Sequence, residues 1–138
     1  MKVIYLHQYF NTPDMSGGTR SYEMGRRLVK AGHEVHIITS DRENRNKGKD
    51  WYQAEVEGMT VHWLPVPYSN KMSYKERIRA FFKYALKAGT KATKIGGDVI
   101  FATSTPLTIA IPAIYSKKKL KIPMVFEVRD LWPELPIA

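Results

Sequence analysis

Hydrophobic positions along the chain fall into two rhythms that take turns. Short, nearly continuous apolar runs occur at Val3 to Leu6, Val35 to Thr39, Met59 to Leu64, Asp98 to Ala102 and Met124 to Val128. Runs of that length without polar alternation fit strands covered on both faces. Between them, apolar residues recur at three- and four-residue spacing from about Thr19 to Ala31, from Ser73 to Lys94, and from Thr105-Pro106 to the lysines at Lys117 to Lys121. This predicts an α/β, Rossmann-like, doubly wound and mostly parallel sheet with helices on both faces. Gly32 sits where a C-terminal glycine ends the first helix. Thr105-Pro106 predicts a cap and first-turn proline for the last helix, and the terminal lysines suit its C-terminus. Trp51 to Val56, turning at Gly58 into Met59 to Leu64, reads as a pair of short strands. Ser40 to Asp50 reads as a charged surface loop.

Length and composition narrow this further. A chain of 138 residues with 43% hydrophobic residues suits one domain with a proper core. Without cysteine it has no disulfides, thiol nucleophile or thiolate metal site. That usage fits a reducing compartment. No signal-peptide pattern opens the chain, and the apolar stretch from Leu107 to Tyr115 is far shorter than the roughly 20 residues of a membrane span. The last residues, Asp130 to Ala138, stop where another helix should begin, so we expect a piece of a longer chain. The net charge of +9 calls for an anionic partner: nucleic acid, a membrane surface or a phosphate.

In an open doubly wound sheet, ligands bind beyond the carboxyl ends of the strands. Three loops meet there: His7 to Gly18, Thr103 to Pro106, and Arg129 to Glu134. Gly17-Gly18 before a helix lets backbone approach a ligand, and the helix N-terminus attracts phosphate. The same pair equally makes a plain tight turn, and it lacks the spacing of a dinucleotide fingerprint. Asn11 and Arg20 flank it. Thr103, Ser104 and Thr105 offer hydroxyls to a ligand or to a helix cap. Glu127, Arg129, Asp130 and Trp132 form a polar cluster after an apolar strand, either an internal Arg–Asp pair or a grip on a substrate hydroxyl or phosphate. His7 is the histidine at the cleft edge, whereas His33, His36 and His62 read as packing or solvent-facing. No Asp-x-Asp pair suggests a metal-dependent sugar-nucleotide site, and no nucleophile elbow supports a Ser–His–Asp arrangement.

The segment from Ser73 to Ile95 carries Tyr74, Ile78, Phe81, Phe82, Ala85, Gly89 and Ala92 on one expected packing face. Lys75, Arg79, Lys83, Lys87, Lys91 and Lys94 spread over the other, with Arg77 at its margin. A covering helix explains the apolar stripe but not the single sign of the charge. Anionic lipid, attractive by about 1 kcal/mol per basic residue, explains it. Nucleic acid fits less well while the aromatics lie on the packing face.

Arg26 to Thr39 with Gly17-Gly18 before it, Glu57 to Tyr68, and Glu127-Val128-Arg129-Asp130-Leu131-Trp132-Pro133-Glu134 together resemble family 4 glycosyltransferases of the GT-B fold. The last stretch is similar to bacterial enzymes that build O-antigen, capsule and exopolysaccharide, including transferases of fucosamine-type sugars. The resemblance implies that residues 1–138 are the N-terminal, acceptor-side domain, with a donor-binding domain lying beyond them. It implies a retaining enzyme without a metal or other cofactor. The enzyme would use a nucleotide sugar, N-acetylfucosamine or similar, and a polyprenyl-diphosphate-linked acceptor on the cytoplasmic face of the bacterial inner membrane. Gly17 and Gly18 would then lie near the donor diphosphate. Arg129 stands where the family often has a histidine, so Arg129 and Asp130 are the catalytic candidates. His7, Asn11, Arg20, Thr103, Ser104, Thr105, Glu127 and Trp132 would line the acceptor cleft. Lys75, Arg79, Lys83, Lys87 and Lys91 would dock on the membrane, with no nucleic acid partner. A basic non-enzymatic phosphate- or nucleic-acid-binding module, and a stand-alone nucleotide-binding enzyme, are the alternatives.

Overall fold

The computed structural model describes residues 1–15, 18–42, 48, 50–66, 71–104 and 107–128. The apolar runs become six strands: β1 (Lys2–Leu6), β2 (Glu34–Asp41), β3 (Tyr52–Val56), β4 (Met59–Pro65), β5 (Val99–Thr103) and β6 (Met124–Glu127). They form one sheet in the order β3-β4-β2-β1-β5-β6, parallel except for the β3–β4 hairpin. The hairpin turns at Glu57 and Gly58, both at positive φ, the geometry that matches strand twist. β2 runs to Asp41, whose carbonyl accepts from the Val66 amide, so the expected loop starts two residues late.

Side chains alternate cleanly between two cores. Val3, Tyr5, Val35, Ile37, Met59 and Val61 face the first helix, α1 (Arg20–Lys30). A Cβ on Gly25 would meet the Met59 sulfur at 2.3 Å, so any larger residue would require the Met59 side chain to shift. Ile4, Leu6, Ile38, Leu64, Ile100 and Ala102 face α2 (Tyr74–Ile95) and α3 (Ala110–Leu120) on the opposite side. Helices therefore cover both faces. The capping box of Ser73 and Glu76 starts α2. A 3-10 turn at Leu107–Ile109 precedes α3, so α3 begins later than its sequence suggests and without a side-chain cap; Thr105 and Pro106 lie outside the described residues.

α2 is rotated from the expected wheel. Its buried row is Ala80, Tyr84, Ala85, Ala88, Gly89 and Ala92, while Tyr74 and Phe82 are exposed. The reason is close packing on α3. A Cβ on Gly89 would meet the Tyr115 ring at 3.0 Å and the Pro112 Cα at 3.4 Å, which selects small residues for the contact row. Tyr84, fully buried, donates its hydroxyl to the Ile38 carbonyl at 2.6 Å, and burial raises its pKa.

His36 and His62, on adjacent strands, stack with Nδ1 of His36 3.0 Å from Nε2 of His62. Nε2 of His36 lies 2.6 Å from a Glu34 carboxylate oxygen and donates to it. The bonds thus assign the tautomers: His36 accepts at Nδ1, and His62 donates from Nε2. Nδ1 of His62 is then a bare, buried nitrogen with no partner among the described residues. Protonating it would bury a charge, and burial first, then the nearby His36, Lys91 and Lys2, lower its pKa from 6.5 to about 4. The unfolded chain takes up this proton below pH 6.5 and the folded chain does not until about pH 4. Stability is therefore lost as pH falls through that window, by up to about 3 kcal/mol. Urea unfolding of wild type against His62→Gln should show a steeper loss in wild type between these pH values; parallel curves would refute it.

Candidate functional site at the carboxyl edge of the sheet

The edge beyond β1, β5 and β6 gathers several of the expected residues. Glu127, at the end of β6, accepts from the Thr103 hydroxyl at 2.8 Å and from two guanidinium nitrogens of Arg20, Nε at 3.2 Å and Nη2. The bond to Glu127, followed by its charge, raises the Arg20 pKa. This joins the first turn of α1 to the ends of β5 and β6, across 107 residues of sequence. The Ser104 amide donates to the Glu127 carbonyl at 2.9 Å, closing the same corner. Thr103 and Ser104 are buried, and Arg20 stands exposed at the rim.

His7 lies behind this corner, 4% exposed, with Nδ1 at 2.7 Å from the hydroxyl of buried Ser21. Asn11 braces the first loop. Its amide nitrogen donates to the Tyr9 carbonyl at 3.3 Å and the Gly18 carbonyl at 3.1 Å, and its oxygen accepts from Arg42 at 3.1 Å. Gly18 faces open space: a Cβ there would meet nothing within 4 Å. Packing therefore does not require glycine at this position. Gly17, Thr105, Arg129, Asp130 and Trp132 lie outside the described residues.

Sequence reasoning missed three members of this edge. Arg42 bonds Asn11 and lies over the Tyr9 ring at 5.0 Å. Its place one residue beyond β2 was the available signal, hidden by reading that stretch as loop. Ser21 carries no pattern of its own. Thr39, whose hydroxyl accepts from the Phe10 amide and donates to the Gln8 carbonyl, was read only as strand.

The five docking cations do not share one setting. Lys75, Arg79, Lys83 and Lys87 are exposed on α2, whereas Lys91 is half-buried and lies over the Trp51 ring at 5.5 Å. Phe82 and Leu86, 45% and 65% exposed, stand among the exposed cations, which corrects the placing of Phe82 on the packing face. Among the described residues, no helix is long and apolar enough to cross a membrane.

Residues 17–138 match the glycosyl transferase 4-like domain. The chain belongs to this family. Two solved structures share the fold of this glycosyl transferase 4-like chain. One is the C-terminal domain (residues 78–226) of a hydrogenase from Pyrococcus furiosus, 13% identical, TM-score 0.62, covering 91% of this chain and 90% of that one. The other is the E. coli trehalose-6-phosphate structure bound with UDP-2-fluoro glucose, 11% identical, TM-score 0.57, covering 91% of this chain and 32% of that one. The chain thus spans about a third of the E. coli protein. At these identities both likenesses speak for the fold alone. Comparison with curated protein sequences finds no match.

Ser21→Ala removes the buried hydroxyl bonded to His7 Nδ1 and should cost about 1–3 kcal/mol in urea unfolding. Arg20→Ala, at an exposed ion pair, should barely move the midpoint. Equal losses for the two would contradict this division.

Proposed function

We propose that this chain is the acceptor-side domain of a retaining glycosyltransferase working at an anionic membrane surface. In this reading it moves a sugar, N-acetylfucosamine or a similar one, from a nucleotide sugar to a polyprenyl-diphosphate-linked saccharide on the cytoplasmic leaflet, in surface polysaccharide synthesis. Family membership supports glycosyl transfer in general. The observation that carries the reading of the site is the Arg20–Glu127–Thr103 corner beside Gly18, whose open side leaves backbone accessible to a diphosphate. Gly17 and Gly18 would sit near the donor diphosphate, whose departing charge is stabilised by fixed donors rather than a metal. Arg129 and Asp130 are the proposed catalytic pair. His7 and Asn11 act from behind, holding the first loop, while Ser104, Thr105 and Trp132 complete the acceptor wall. A second domain would supply most donor recognition.

The membrane part rests on α2. Four exposed cations flank Phe82 and Leu86, a combination that inserts apolar side chains while cations meet anionic headgroups. One observation favours a second reading, a nucleic-acid-binding module: Tyr74 and Phe82 are exposed beside cations and could stack on bases.

Two experiments test this. The 138-residue chain should float with vesicles containing anionic lipid and not with neutral ones, and Lys83→Glu/Lys87→Glu should abolish flotation. Binding indifferent to lipid charge, or displaced by a single-stranded oligonucleotide, would overturn docking in favour of the second reading. The chain alone should turn over no nucleotide sugar, and should gain transfer when joined to a second domain of similar size carrying a paired-glutamate motif. Turnover by the chain alone would refute the two-domain division.

A further inference from the structure

A pocket of about 660 Å³ opens where the second half of α2 passes the lead-in to β3. Asp50 and Trp51 form one wall, and Leu86, Lys87, Thr90, Lys91 and Lys94 form the other. The volume lies within the range of small-ligand sites, about 300–1,000 Å³. β3 and β6 are opposite edges of the sheet, so this pocket and the Arg20–Glu127–Thr103 corner share no residue.

Helix periodicity builds the charged wall. Residues 87, 91 and 94 are four and three apart, so their ammonium groups share one stripe over about 10 Å of the axis. Like charges at that spacing repel and work against the helix. Among the described residues none of these lysines forms an ion pair. Asp50, the pocket's one carboxylate, accepts instead from the Trp51 amide at 2.8 Å. Lys91 lies over the Trp51 ring at 5.5 Å, which holds its ammonium at the wall rather than out in solvent. Three cations against one carboxylate leave the pocket positive, and an anion seated among them relieves their repulsion.

The rest of the lining says what kind of anion fits. Leu86, 65% exposed, belongs to the wall, and Phe82, 45% exposed, stands one turn before it on α2. An inorganic anion leaves both in water, whereas an amphiphile covers them. The Trp51 ring lies under Lys91 and packs against the α2-side core, so it is no free platform for a nucleic-acid base.

We propose that this pocket seats the phosphate-bearing headgroup of an anionic lipid, with Lys87, Lys91 and Lys94 around the phosphate and Leu86 and Phe82 toward the acyl chains. The Thr90 hydroxyl donates to the Leu86 carbonyl at a long 3.3 Å and can exchange that bond for a phosphate oxygen. The site turns a diffuse attraction of α2 for a charged surface into one seat for one lipid, and gives Trp51, Thr90 and Lys94 a binding role. It rests on the membrane reading of the function only for the source of its phosphate.

The test follows the Trp51 indole Nε1–H resonance of the full chain during titration with dihexanoyl phosphatidylglycerol kept below its micelle concentration. The resonance should shift and saturate, and dihexanoyl phosphatidylcholine should leave it still. Lys91→Gln/Lys94→Gln should weaken phosphatidylglycerol by about tenfold or more, at roughly 1 kcal/mol per basic residue. Lys117→Gln/Lys118→Gln, which removes the same charge from the exposed surface of α3, should weaken it less than twofold. Equal losses in the two pairs, or an unmoved resonance in wild type, would overturn the pocket. Inorganic phosphate binding as tightly as phosphatidylglycerol, or a single-stranded oligonucleotide displacing it, would overturn the lipid as occupant. Flotation on anionic vesicles that survives Lys91→Gln/Lys94→Gln would sink the pocket and leave membrane docking standing. Saturable binding of the short-chain lipid by a chain that never floats would keep the pocket and sink the membrane reading.

Discussion

One carbonyl sets the frame. Ile38 accepts from the His7 amide on the β1 side and from the Tyr84 hydroxyl on the α2 side, so strand end and helix are tied to the same point. Tyr84 is fully buried and raised in pKa by that burial, which keeps it a neutral donor. This bond ties α2 to the end of the β1–β2 pairing, and its close packing on α3 at Gly89 sets which face turns inward. With that rotation, Lys75, Arg79, Lys83 and Lys87 meet solvent, while Arg77 and Lys91 are half-buried.

The same edge is built twice, with different chemistry on its two sides. Toward α1, an acid, a base and a hydroxyl answer one another across elements distant in sequence. Toward α2, Nε of Arg77 and Oγ1 of Thr108 are buried without a hydrogen-bond partner among the described residues. A sheet whose two cores alternate residue by residue can carry such opposite environments a few ångströms apart, because successive side chains are sorted to opposite faces.

Much of the fold was legible from periodicity, since the central strands and α1 follow an apolar rhythm that burial enforces. The exposed face of α2 was not. Tyr74 and Phe82 look like core residues by type, yet the buried row is made mostly of alanines and a glycine. Hydrophobicity scales give small residues little weight, and only the closeness of α3 explains why they won. At the site, Glu127, Thr103 and Arg20 were named singly, but no local pattern announces a bond across 107 residues. Arg42 was hidden by the length of β2, and the His36–His62 pair by a register that only strand pairing defines.

Gly89 gives the helical face a mechanical property. At that crossing the missing side chain lets α2 seat directly on Tyr115 and Pro112 of α3, with no room even for a methyl group between them. The exposed Phe82 and Leu86 of one helix and Ile111 and Ile114 of the other are therefore carried on a single stiff plate. Any surface that grips this plate sets the angle of the strands beneath it. The open edge would then be presented at a constant tilt and height, like a tool held in a fixed mount.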